Sequence, residues 1–180
     1  MKTSIKLLFA LFSISIILVS CKDENSIQTY FVDHQEKPEF LSFDIAADVI
    51  DFSKADLNKE EQEAYQSIKK LDVLAYKVND QDKDTYGQEL EKAKAVFNNK
   101  KYEELMEFKD NGVNVKINTY GKNDKVDEFL VLASSKEMGF TIVRVLGNNM
   151  KPEQLMKLSN KIQNADVDQA QFKNLMDIFK

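Results

Sequence analysis

The sequence predicts an α+β fold: a mostly antiparallel, meandering sheet with helices packed on one face. Three observations carry that expectation. From Glu104 to Gly147 the chain reads as short apolar or alternating stretches separated by turns, and four of the five glycines, Gly147 included, fall at these turns. Before and after it, apolar residues recur at three- and four-residue spacing, the period of a helix with one buried stripe. No internal repeat or low-complexity tract divides the chain, and 180 residues suit one domain.

Taken in order, residues 1–20 differ from all that follows. Lys2 and Lys6 form a positive start, and Leu7 to Val19 is uncharged over 13 residues. As a helix this is roughly 20 Å long, short of a bilayer core of about 30 Å. It reads as a cleaved export signal rather than a permanent span, and no later stretch approaches the length of a span. The segment ends Leu18-Val19-Ser20-Cys21, which resembles the lipobox of bacterial lipoproteins: an aliphatic residue, a tolerant position, a small residue, then cysteine. The resemblance implies cleavage before Cys21 and acyl chains on its thiol, palmitate among them. The alternative is an ordinary secretory signal followed by a chance cysteine. A lone thiol in an exported chain is anomalous unless something consumes it, and acylation does. One acyl chain binds a membrane only marginally, whereas several hold firmly. Residues 21–25 are then the lipidated cysteine and a short tether. Lys22 to Asn25 reaches only about 14 Å when extended, so the domain, residues 26–180, is expected close to the lipid. The address expected is the cell envelope, most simply the outer membrane, on its periplasmic face or at the cell surface. The Lys-plus-acid start after Cys21 looks like a surface-export tag, or is a plain linker.

The mature domain opens with a short amphipathic helix, Ile27, Tyr30 and Phe31 inward and His34 next in register, capped by Asn25 or Ser26 and closed by Pro38. Glu39 to Ala46 alternates as a strand; Ala47 to Phe52 is ambiguous between strand and helical turn. Asn58-Lys-Glu-Glu61 resembles a capping box and starts a helix with Leu57, Ala64, Tyr65, Ile68 and Leu71 on one side. Val73 to Val78 is a strand. An acidic loop, Asn79 to Thr85, leads to a helix from Tyr86 to about Asn98, with Tyr86, Leu90, Ala93, Val96 and Phe97 inward. Glu104 to Lys109 and Val113 to Tyr120 flank Asp110-Asn111-Gly112, a hairpin signal. Val126 to Ser134 and Phe140 to Leu146 follow, nearly continuous in apolar residues at their centres, as befits central strands. Pro152 suits the first turn of a helix with Leu155, Leu158 and Ile162 as its stripe. A last helix, Val167 to Phe179, presents Phe172, Leu175, Met176 and Phe179.

The order of these pieces, with Tyr102-Glu-Glu-Leu-Met-Glu-Phe, Asn111-Gly-Val-Asn-Val-Lys-Ile, Asp127-Glu-Phe-Leu-Val-Leu and a hydrophobic strand ending in Gly147, resembles the lipoprotein family catalogued as domain of unknown function 4252. The similarity runs from about Ile27 to Ile162. It implies a gram-negative envelope lipoprotein and carries no catalytic residue or cofactor across.

Charge and composition exclude several chemistries. Removal of residues 1–20 takes Lys2 and Lys6 and no acid, leaving 23 basic against 30 acidic residues, net −7. Arg144 is the only arginine. Nucleic-acid binding needs a basic face, so no nucleic-acid partner is expected. Cys21 is spent on lipid and His34 is the sole histidine, at a helix boundary, so neither a Cys nucleophile nor a His/Cys zinc site is available. No Gly-rich phosphate loop is present. Asp80, Asp82, Asp84 and Glu91 occupy positions 1, 3, 5 and 12 of a calcium-loop pattern, but Thr85 stands where the turn needs glycine; a solvated connection with Asp84 capping the next helix explains the same residues. Paired carboxylates for a small envelope hydrolase are permitted by the many acids, though no pair is singled out and the absence of tryptophan removes a common sugar platform. Phe172, Met176 and Phe179 read as core, or as an exposed partner-binding stripe if that helix docks loosely. The reading that results is a non-enzymatic, lipid-anchored module for a protein or envelope component, with no cofactor beyond the acyl chains and calcium-dependent binding or hydrolysis as alternatives.

Overall fold

The computed structural model describes residues 26–53, 55–78, 83–122 and 124–161. In chain order the elements are α1 (Ile27–His34), β1 (Phe40–Ala46), a 3-10 turn (Ala47–Val49), α2 (Lys59–Ser67), β2 (Ile68–Lys77), α3 (Lys83–Phe97), β3 (Glu103–Asp110), β4 (Val113–Lys122), β5 (Lys125–Ser135), β6 (Gly139–Met150) and α4 (Pro152–Ser159). The six strands form one sheet in the order β1-β2-β6-β5-β4-β3, every neighbouring pair antiparallel. The chain is α+β, and the meander runs from β3 to β6, with β2 and β1 extending the sheet beyond β6.

Local chemistry sets these boundaries. Ser26 Oγ accepts from the Thr29 amide at the start of α1, 3.2 Å. Asn58 and Glu61 exchange side-chain and backbone hydrogen bonds of 2.9 and 3.0 Å, a complete capping box for α2. In the β3–β4 hairpin Asp110 pairs with Val113 around Asn111 and Gly112, whose φ values are +46° and +83°. Two positive φ angles make a type I′ loop, whose twist matches that of the flanking strands.

Three expectations need correction. The helix begun at Asn58 ends at Ser67, and Ile68 and Leu71 open β2 instead of continuing the helical stripe. Pairing with β1 on one side and β6 on the other outweighs local propensity there. Gly147 is not at a turn. It lies inside β6, opposite Ile68 at an irregularity of the ladder, where a Cβ would collide with the Ser67 carbonyl.

The helices, finally, flank both faces of the sheet rather than one. Leu74, Tyr76, Leu130, Leu132, Phe140 and Ile142 point toward Tyr30 and Phe31 of α1 and Ala93, Val96 and Phe97 of α3. Their odd-numbered neighbours Phe129, Val131 and Val145 join Phe52, Ala64 of α2, and Leu155 and Leu158 of α4. Successive strand residues point to opposite faces, so the two clusters lie on opposite sides. Strands apolar at consecutive positions, as β5 and β6 are, require cover on both.

Candidate functional site

Cys21, Asp80, Asp82, Phe172, Met176 and Phe179 lie outside the described residues. Asp84 falls within α3 rather than at its cap, and Glu91 is on the same helix. Seven residues of helix separate them by about 10 Å along the axis. Glu91 bonds Lys94 at 2.8 Å. Among the described residues no group of three or more His, Cys, Asp or Glu is placed to hold a metal. An open hollow of about 450 Å³ is lined by Asp48, Asp51, Asp56, Phe52 and Tyr65. Tyr65 donates to the Ala47 and Ile50 carbonyls, both at 2.9 Å, pinning the 3-10 turn.

Sequence reasoning missed a buried charge belt. On the α1/α3 face the apolar core ends at a row of register partners, Asn118, Leu130, Arg144, Asp72 and Asp44. Arg144 donates Nε to Glu128 Oε1 and holds Asp72 Oδ2 at 3.5 Å. Lys101 reaches Glu128 Oε2 at 3.0 Å, and the Tyr102 hydroxyl donates to Oε1 at 3.1 Å. Lys70 lies 2.8 Å from Asp72 and 3.0 Å from Asp44. Burial, then the charge of Glu128 and the hydrogen bond to it, pushes Tyr102 well above the ordinary phenol range. Lys101 also sits over the rings of Tyr120 and Tyr102, 4.3 and 5.0 Å from their centroids. The signal was present in the sequence: one arginine, in a chain otherwise using lysine, set inside the apolar run Thr141-Ile-Val-Arg-Val-Leu. A planar guanidinium presents its donors in a fixed fork and is weakly hydrated, which suits it to holding two buried carboxylates at once.

The remaining buried acids are also engaged. Glu61 closes the capping box, and Glu89 bonds Lys92 at 2.7 Å and His34 Nε2 at 3.2 Å. His34 Nδ1 lies 2.7 Å from the Tyr30 carbonyl. Both partners of His34 are acceptors, so both bonds form together only when both ring nitrogens carry protons. His34 is the last residue of α1, as expected, and ties that helix to α3.

The outward-facing feature is β3. It stands at the sheet margin and, among the described residues, pairs only with β4. Seven of its eight residues are exposed, with Leu105 at 42% and Phe108 at 47%. Register jumps between Glu104 and Met106, so Leu105 sits at a bulge with no residue opposite. Four acids, Glu103, Glu104, Glu107 and Asp110, share the strand with Lys109 alone, and Lys116 of β4 answers Glu104 at 3.0 Å. A bulge and a row of charges are the usual guards against indiscriminate edge pairing. The edge is thus apolar at two points, acidic along its length, and open.

The family model described as Domain of unknown function (DUF4252) matches residues 30–158. The chain belongs to this family. No curated protein and no solved structure matches it. The matched span takes in the whole sheet, the charge belt and the β3 edge. Among the described residues no helix is long and apolar enough to cross a membrane.

Proposed function

We propose that the mature chain is a lipid-anchored envelope module, held on the outer membrane through Cys21, that captures an extended, lysine- or arginine-bearing protein segment along β3. The observation that carries the reading is the β3 edge: a long exposed strand, Leu105 and Phe108 outward, with four acids against one lysine. Strand addition supplies main-chain hydrogen bonds, alternate side chains supply selectivity, and the acidic edge favours a basic segment. Among the described residues the buried carboxylates of Glu61, Asp72, Glu89 and Glu128 each meet a hydrogen-bond donor or a cation, which supports binding over hydrolysis, because a catalytic acid or base needs a proton site not already committed. The anchor rests on the Leu18-to-Cys21 pattern.

Photocrosslinking groups at residues 105 and 108 in intact cells test the edge, with exposed Gln88 on α3 as the control. Adducts to one protein from both β3 positions, absent from position 88 and lost in Glu104→Lys/Glu107→Lys, are expected. Equal recovery from all three positions, or indifference to the charge reversal, overturns the edge as the docking surface. For the anchor, mass spectrometry of the mature protein is expected to give an N-terminal, acylated Cys21; a species beginning at Met1 or carrying an unmodified thiol refutes it.

A further inference from the structure

A hollow of about 330 Å³ opens on the α1/α3 face, between the end of α3 and the β3–β5 part of the sheet. Strand register builds its sheet side. Glu107, Lys116 and Leu132 lie in one row across β3, β4 and β5, and Asn114 and Ser134 lie together in the next. Leu132 belongs to the core cluster of this face, so the apolar interior stops there and polar side chains take over toward the margin. Lys94 and Asn98, joined by a helical hydrogen bond of 3.0 Å, close the other side. Two features set this hollow apart from an ordinary solvated groove. It carries two lysines against one acid in a chain of net charge −5, whereas the hollow at the 3-10 turn is lined by Asp48, Asp51 and Asp56. Several of its polar groups also keep hydrogen-bonding capacity. An ammonium has three N–H groups; Lys116 gives one to Glu104 at 3.0 Å and one to Asn98 Oδ1 at 3.2 Å, and one remains. Lys94 gives one to Glu91 at 2.8 Å, in an exposed pair of small worth. Glu107 stands opposite Lys116 in register, yet Lys116 pairs with Glu104. Ser134 is 6% exposed, and its hydroxyl meets no hydrogen-bond partner among the described residues. A nearly buried hydroxyl left open toward a hollow points to a polar group that enters it.

We infer that this hollow binds a small α-amino or α-hydroxy carboxylate, at a site separate from the outer edge of β3 and independent of strand capture there. The ligand's carboxylate takes the remaining N–H groups of Lys116 and Lys94. The amine or hydroxyl on the adjacent carbon donates to Glu107. Cross-strand neighbours such as Glu107 and Lys116 hold their Cβ atoms about 5 Å apart, which suits a ligand whose acceptor and donor sit on adjacent carbons. Ser134, with the amides of Asn98 and Asn114, completes the hydrogen bonding. A short side chain rests on Leu132. The volume is at the lower end of the range for small-molecule sites, about 300–1,000 Å³, so small acids fit better than large ones. Lys116 and Glu107 together set the selectivity: the cation admits the carboxylate, and the acid disfavours any anion that brings no donor beside it.

Titration calorimetry on the full-length protein, purified from membranes in detergent, tests the assignment with alanine, lactate and acetate as probes. Alanine and lactate are expected to bind. Acetate should bind about tenfold more weakly, because it lacks the donor that meets Glu107. Lys116→Met and Lys94→Met should each weaken alanine and lactate about tenfold. Glu107→Gln should bring alanine and lactate down toward acetate while leaving acetate little changed. Lys94 is exposed, so Lys94→Met keeps its fold and decides the matter if Lys116→Met does not fold. Absence of heat with both alanine and lactate overturns the inference. So does equal affinity for acetate, which would mean that the two lysines attract any small anion. Native affinity in Lys94→Met, or an unchanged preference over acetate in Glu107→Gln, overturns it as well.

Discussion

The two faces of the sheet are closed by different means. On the α1/α3 face, rings interlock: Phe140 stacks on Tyr76 at 5.5 Å, Phe40 meets Tyr76 edge-on at 5.2 Å, and His34 stacks on Tyr30 at 4.0 Å. The far end of that face is sealed by the Arg144 belt. On the α2/α4 face the packing is mainly aliphatic, the helices are shorter than α3, and the surface pair Glu60–Lys157 joins α2 to α4. One face therefore fixes geometry mainly through interlocked rings and buried charge, and the other mainly through aliphatic burial, with Tyr65 supplying directional contacts at its margin. The sharpest way to break this contrast is to make one chemical change on each side. Phe140→Ala and Phe129→Ala remove the same ring from buried positions on adjacent strands, and truncations of this kind cost about 3–5 kcal/mol. Phe140, 1% exposed and ring-stacked, is expected at the top of that range and Phe129 at the bottom. Equal urea midpoints for the two variants would show that the faces are energetically alike.

Arg144→Met comes next. It leaves Glu128 and Asp72 buried without their shared cation, and breaking a buried pair costs about 3–5 kcal/mol. Lys101 and Lys70 still reach the two acids, so the lower end is expected. Adding Glu128→Gln to Arg144→Met should restore part of the loss, a coupling that denaturant titration of the single and double variants measures. Strict additivity would mean that Arg144 and Glu128 contribute as separate residues, not as a network.

Local signals explain how much of this was legible beforehand. The hairpin at Asn111-Gly112, the capping box at Asn58, the inward stripe of α3 and the antiparallel meander all rest on short-range chemistry, and all are present in the structure. The end of α2 at Ser67 was hidden, because Ile68 and Leu71 fit a helical stripe and a strand equally well; only β1 and β6, distant in sequence, decide between them. Distribution of helices over both faces was readable in principle from the consecutive apolar residues of β5 and β6. Of the charge belt only Arg144 in its apolar run was visible; its partners Asp72 and Glu128 are brought to it by strand order, which composition does not specify.

Glu89→Gln probes the α1–α3 contact at intermediate cost, about 1–3 kcal/mol for lost charge-assisted hydrogen bonds. Burial raises the Glu89 carboxyl, but the hydrogen bond and charge of Lys92, with His34 and Lys37, outweigh it and hold the group below its ordinary value. A carboxylate depressed in the folded state contributes stability that is complete above its unfolded value, near 4.3, and is lost as pH falls through the folded value. The native protein should therefore lose more stability than Glu89→Gln on acidification below about pH 5. Parallel acid limbs in the two urea-midpoint profiles would remove Glu89 from the account.

The smallest effect is expected at Glu60 and Lys157, although their separation of 2.6 Å is shorter than any lysine contact in the belt. Distance is a poor guide to worth when both partners remain in water. Each side chain is more than half exposed, so solvent and salt screen the attraction while two long side chains lose rotamer freedom. The hydrogen bond and charge of Lys157 lower the Glu60 carboxyl, and those of Glu60 raise the Lys157 ammonium. Both groups are thus ionised throughout the neutral range, and the pair gives stability no pH dependence there. Lys157→Ala should leave Tm almost where it was, with the residual difference shrinking as salt is added. A drop comparable with that of Arg144→Met would mean that α2 and α4 are joined by charge rather than by the burial of Ala64, Leu155 and Leu158, and the contrast between the two faces would fail.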